Sequence, residues 1–191
     1  MRSKDIIVES LSTNILIVDV QPAYDPYCKR VVGKIADLIN NHRGNITVLY
    51  NAEGMTNDTE YDVISYFEEH GVEYDNLEKL NMVEKEYGFF RGWMDNGVDD
   101  RIILKIIRAM VTQRVNDSRD LNLEEILGDD FDSVPEYDSI YMPDFMSLGT
   151  LRNMSPFYMC GGGRTECLRE IELICNAFNI RYKRMNNLIY G

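Results

Sequence analysis

Apolar residues along this chain alternate between short continuous runs and helical stripes. Residues 14–20 (NILIVDV) form an apolar run that reaches Asp19 and gives way to Gln21-Pro22, the pattern of a strand buried on both faces. Residues 27–42 place Val31, Val32, Ile35, Leu38 and Ile39 at helical spacing, and residues 46–50 (ITVLY) follow an Arg-Gly-Asn turn as a second strand. Residues 59–70 carry Val63, Ile64 and Phe67 on one face and stop at Gly71, a helix-end signal. The order strand, helix, strand, helix predicts an α/β fold in which helices cover a parallel sheet.

The pattern returns near the other end of the chain. Residues 156–160 (PFYMC) predict a third strand running into Gly161-Gly162-Gly163-Arg164. Residues 165–178 then space Leu168, Ile171, Ile174, Cys175 and Phe178 as a helical stripe, and residues 180–185 and 188–190 read as extended. The middle differs. An apolar helix over residues 100–111 (Ile102, Ile103, Ile106, Ile107, Met110) leads into residues 116–144, where ten acidic side chains face Arg119 as the only basic one. That stretch alone supplies −9 of the chain's net −12. It reads as part of a solvated acidic insertion over about 96–145, with one short helix around Leu123–Leu127. Asp129-Asp130-Phe131-Asp132 lacks the alternating ligands and the glycine of a calcium loop.

Composition narrows the function classes. At 191 residues the whole chain, 1–191, reads as a single domain, and 45% hydrophobic with 27% charged residues excludes disorder over most of it. The acidic excess argues against a nucleic-acid backbone and against an anionic membrane surface as partners. No apolar run approaches the ~20 residues of a membrane span, and residues 1–10 carry no signal-peptide core. The four cysteines (28, 160, 167 and 175) contain no C-x-x-C pair and fit neither a zinc site nor a dense disulfide framework. A reduced, cytoplasmic protein is the expectation, with a cysteine free for chemistry.

Three residues stand out as candidates. Cys167 opens a helix just after a strand and a three-glycine loop, where unpaired backbone N–H groups and the helix dipole favour a thiolate and offer oxyanion donors. Open α/β sheets place their sites at such strand ends. Cys175 and Cys160 read as structural, and Cys28 is uninformative. Asp19 ends an apolar strand, where a carboxylate needs a partner or a task; capping the turn through Gln21 is the other explanation. Lys85, flanked by Glu84 and Glu86, reads on its own as an exposed lysine.

Taken in order, these segments resemble a known family. Asp19-Val20-Gln21-Pro22-Ala23-Tyr24 resembles the D-x-Q-x-x-F opening of the isochorismatase-like cysteine hydrolases, the group of nicotinamidases, N-carbamoylsarcosine amidases and ureidoacrylate amidohydrolases. Lys85 with Tyr87-Gly88-Phe89-Phe90 and Met94-Asp95 is similar to its lysine segment, and residues 160–168 (CGGGRTECL) are similar to its nucleophile turn. The resemblance implies a three-layer α/β/α domain with a mostly parallel, Rossmann-like sheet of about six strands. It implies a Cys167–Asp19–Lys85 triad in which Asp19 takes the thiol proton, Lys85 supports the charge, and the thiolate attacks a small molecule's amide or ureido carbon. By the same resemblance Gly163 and Cys167 N–H groups form the oxyanion hole, with a cis peptide at Gly162–Gly163. Tyr24 lines the substrate pocket, with Tyr87, Phe89 and Trp93 as further wall candidates. No cofactor is implied, and a homo-oligomer is.

Certain features depart from the family pattern. Arg164 stands where the family has threonine, placing a cation beside the expected site, for which an acidic substrate group is one reason. The spacing from Lys85 to Gly88 is one residue short, the segment from Phe90 to Cys160 is longer, and the chain stops soon after the expected last strand. The histidines of the nicotinamidase metal site have no counterpart: His42 and His70 fall at predicted helix ends, so no metal site is expected. A metal-independent cysteine amidohydrolase is the leading expectation. A catalytically inactive member of the fold, working as a binding or assembly module, is the alternative. A phosphate cradle at Gly161–Gly163 ranks last, because the loop lacks G-x-G-x-x-G and a P-loop lysine.

Overall fold

A computed structural model describes residues 13–52, 56–85, 90–142 and 145–191. Its centre is an all-parallel sheet of five strands, one fewer than the resemblance implies: β1 (Asn14–Val18), β2 (Ile46–Asn51), β3 (Leu80–Lys85), β4 (Phe157–Gly161) and β5 (Tyr182–Arg184), in the order β3-β2-β1-β4-β5. The short β1 is central and buried, with Ile15 aligned to Ile46 on one side and to Tyr158 on the other. Its side chains alternate between two cores. Ile15 and Ile17 join one, and Leu16 and Val18 join the other. This is the period-two geometry of a strand with both faces covered.

Helices cover both faces. On one side α1 (Asp25–Cys28), α2 (Val32–Asn41) and α3 (Glu60–Glu69) bury Cys28, Val32, Ile35, Ile39, Val63 and Phe67. The stretch that reads as one helix over 27–42 is two, broken between Cys28 and Val32. Thr59 caps α3 through a reciprocal bond with Asp62, and the expected stop at Gly71 follows its end at φ 94°. A single turn, α4 (Tyr74–Leu77), leads into β3.

The other face is built largely by the segment that reads as an insertion. After α5 (Arg91–Asp95), α6 (Asp100–Gln113) buries Ile102, Ile103, Ile106, Ile107 and Met110. Leu121, Leu127 of α7 (Leu123–Leu127) and Ile140 belong to the same core. The short helix falls at the predicted residues, but this segment is a core layer with an acidic outer face. Leu121, Leu127 and Ile140 point inward, while Glu124, Asp129, Asp132 and Glu136, and also Phe131 and Tyr137, are exposed. α8 (Phe145–Met154) and α9 (Cys167–Ala177) complete the layer. Residues 186–188 form a 3₁₀ turn between the two segments expected to be extended, taking Leu188 from the second of them, and Tyr190 bridges to Gly163. Among the described residues no helix is long and apolar enough to cross a membrane.

This topology creates a switch point. From β1 the chain adds β2 and β3 on one side, then returns to place β4 and β5 on the other. The carboxyl ends of β1 and β4 flank the crevice where ligands bind in open parallel sheets.

Candidate active site

Asp19 follows β1 at the switch point with φ 50°, a left-handed conformation that aspartate tolerates better than most residues. Its position is fixed at both backbone ends: its N–H donates to Leu49 O at 2.9 Å, and its C=O accepts from the Tyr190 hydroxyl at 2.8 Å. The carboxylate is fully buried. Its Oδ2 accepts from Lys85 Nζ at 2.7 Å, and its Oδ1 is buried with no nitrogen or oxygen donor among the described residues, leaving the Cys167 thiol as the group coupled to the carboxylate. Lys85, the last residue of β3, is 3% exposed. Burial pushes its ammonium toward neutrality, but the Asp19 carboxylate, by charge and by hydrogen bond, outweighs that and holds its pKa above the ordinary lysine value. The exposed-lysine reading of its acidic neighbours is therefore corrected. Lys85 sits at the carboxyl end of an edge strand, its side chain buried against Asp19.

Gln21 ties the same turn to β2. Its Nε2 donates to Asn51 O, and its Oε1 accepts from Asn51 N at 2.8 Å. Asn51 in turn donates to the Tyr24 hydroxyl at 2.9 Å. The D-x-Q-x-x-aromatic segment is thus one hydrogen-bonded unit across the ends of two strands.

Cys167 begins α9 on the other side of the crevice. The loop before it passes so close to β1 that Gly162 N donates to Val18 O at 2.7 Å, and a Cβ on Gly161 would lie 2.4 Å from Val18 O. Gly161 and Gly162 both have positive φ, so this path requires glycine. The only cis peptide among the described residues is Ser155–Pro156; the expected cis bond at Gly162–Gly163 is corrected to trans. The loop reaches its turn through the positive φ angles of two glycines instead. Neither Gly163 N–H nor Cys167 N–H donates to an acceptor among the described residues.

Cys167, Gly163, Arg164 and Tyr24 line a cleft of about 390 Å³ together with Arg91 and Tyr190. Trp93 does not reach it: the side chain is fully buried in the core and donates to Asp138 O at 3.1 Å. Tyr87 and Phe89 lie outside the described residues. The thiol is also unlike its sequence expectation. Burial, then the negative charge of Asp19, pushes it up to about 12 against the opposing pull of Lys85 and Arg91. This direction is opposite to the one a helix N-terminus favours. Cys28, Cys160 and Cys175 are wholly buried.

Three functional neighbours carry no motif that points to them. Arg91 places Nη2 3.8 Å from Cys167 Sγ and 3.4 Å from Glu166 Oε2. A lone arginine on a short helix has no periodic signal. Tyr190 braces Asp19 from a segment that reads only as extended. Glu170, buried at 3% exposure, accepts from Phe90 N at 3.0 Å and so holds the start of α5 beside the thiol. Its carboxyl is raised above the ordinary range, by burial first, with Lys85 opposing. Helical geometry could have found it, because it lies three residues after Cys167 on the same face.

Compared with protein-family models, curated proteins and solved structures, the chain has no match. Among the described residues no group of three or more His, Cys, Asp or Glu side chains could hold a metal ion; His42 and His70 cap the ends of α2 and α3.

Proposed function

We propose that this protein is a cysteine hydrolase of the isochorismatase-like type, cleaving an amide or ureido C–N bond of a small molecule without a metal ion. The observation that carries the proposal is a part-exposed thiol in a small cleft, coupled to the fully buried Asp19 carboxylate behind it, beside two N–H groups that donate to no acceptor among the described residues. The parallel sheet covered by helices on both faces is compatible with the Rossmann-like three-layer fold of that family.

In the proposed reaction Asp19 Oδ1 accepts the thiol proton as sulfur attacks the carbonyl carbon. Gly163 and Cys167 N–H groups hold the developing oxyanion. Asp19 returns the proton to the leaving nitrogen as the C–N bond breaks, leaving a thioester. Water, deprotonated by Asp19, then releases the acid and restores the thiol. Lys85 keeps Asp19 oriented throughout, and Arg91 stabilises the thiolate as it forms. A thiol resting at about 12 makes this a general-base mechanism rather than one with a preformed thiolate. Self-association and a cytoplasmic setting belong to the proposal.

The test is ammonia release from a panel of small amides and ureido acids, with intact-mass detection of the acyl-enzyme. Turnover and adduct that both vanish in Cys167→Ala support the hydrolase. Turnover surviving in Cys167→Ala, or neither signal across the panel, rejects it.

A further inference from the structure

Arg164 is the first side chain after three glycines. Its backbone is pinned, since Arg164 N donates to Tyr190 O at 3.1 Å, and Glu166 N closes the turn onto Gly163 O. Arg164 is one of the residues that line the cleft holding the thiol. The guanidinium makes one long bond, 3.5 Å to Asn186 O, and has no carboxylate at ion-pair distance among the described residues. The other charges around the site are committed. Lys85 is paired with Asp19, and Arg91 lies against Glu166 and Asp95. Arg169 and Arg184 also have carboxylate partners. In a chain with 32 acidic and 20 basic residues, a cleft arginine with no carboxylate partner among the described residues is a charge left available to a ligand. Its planar fork matches a carboxylate, and one uncompensated positive charge matches a monoanion better than a phosphate dianion.

We propose that Arg164 is the anion-recognition residue of this cleft, and that the substrate carries a carboxylate near the bond that is cleaved. The identity of the cleaved bond rests on the hydrolase reading; the anion site does not.

Two alkylating agents of nearly equal shape separate these claims. Iodoacetate carries the carboxylate and iodoacetamide does not. The quantity read is the iodoacetate-to-iodoacetamide rate ratio at Cys167, normalised to the same ratio for glutathione at the same pH and low salt. The ratio cancels changes in thiol reactivity common to both reagents. The expected normalised ratio is roughly tenfold above unity, the effect of one charge-assisted contact, declining with added salt. Arg164→Gln brings it to unity, and Arg164→Lys, which keeps the charge without the fork, falls between. A wild-type ratio of unity, or a preference that survives in Arg164→Gln, overturns the anion site whatever the amide panel shows. A clear Arg164-dependent preference with no ammonia release upholds the anion site and rejects the hydrolase. Failure of both reagents to label Cys167 overturns both.

Discussion

Two regions of this molecule carry most of its charge argument, and they behave in opposite ways. Residues 116–144 hold ten acidic side chains, yet most point into solvent, where pairs such as Arg101–Asp130 are worth at most about 1 kcal/mol. The switch point holds few charges, Asp19, Lys85 and Glu170, but all three are buried. There a charge cannot be left unpaired without a cost of several kcal/mol. Number of charges therefore says little; burial decides which ones the fold and the chemistry depend on. The acidic stretch stays attached through Leu121, Leu127 and Ile140, not through its charges.

The comparison breaks most readily at Lys85. Lys85→Met leaves Asp19 charged and unpaired, and a loss of about 3–5 kcal/mol is expected in chemical denaturation. The double variant Asp19→Asn with Lys85→Met should recover most of it; asparagine also tolerates the positive φ at position 19. A double variant no more stable than the single one would mean the pair is not what holds the switch point. Next in size is Leu127→Ala, which removes a buried anchor of the acidic segment and should cost about 2–5 kcal/mol by the same measurement.

A sharper test concerns the thiol. Because Asp19 contributes to raising the Cys167 pKa to about 12, Asp19→Asn should lower it. The pH profile of iodoacetamide labelling should move to lower pH, while any hydrolysis is lost with the base. An unmoved or upward-moved profile would remove Asp19 as the group coupled to the thiol.

Glu170 gives a pH dependence of known sign. Its folded pKa is raised, so the folded state binds more protons than the unfolded one between the ordinary glutamate value and the higher folded value. Stability from this group is then lost as pH rises through that window. Glu170→Gln keeps an acceptor for Phe90 N–H and should remove that loss, so its stability relative to wild type grows with pH across the same range. A flat difference would show the carboxylate to be compensated. The smallest effect is expected at the acidic surface: Glu124→Gln, Asp129→Asn and Asp132→Asn should each change stability by within about 0.5 kcal/mol.

Much of the framework is legible in the order of residues alone. β1, β2 and β4 are continuous apolar runs, and α3, α6 and α9 follow their stripes, because burial against a sheet imposes periodicity on the residues that do it. β3 gives no such signal, because LNMVEK at a sheet edge is only partly buried and its pattern mixes polar with apolar positions. The 116–144 stretch is readable as acidic and as holding one short helix. That it forms part of the core does not follow from charge counts, because three well-placed apolar residues outweigh the acids between them.

The local chain determined which residues could do chemistry: an aspartate ending a buried strand, and a cysteine opening a helix after three glycines. Only the tertiary structure decided their state. Strand order sets Asp19 and Cys167 on opposite sides of one crevice, and brings Lys85 in from β3 to pair with the carboxylate. Burial and the facing carboxylate push the thiol up, against the thiolate preference that a helix N-terminus confers on its own. The reason is physical. Periodicity and turn chemistry act between residues near in sequence, whereas desolvation and Coulomb energy depend on every group within a few ångströms, and those groups come from four separate parts of the chain.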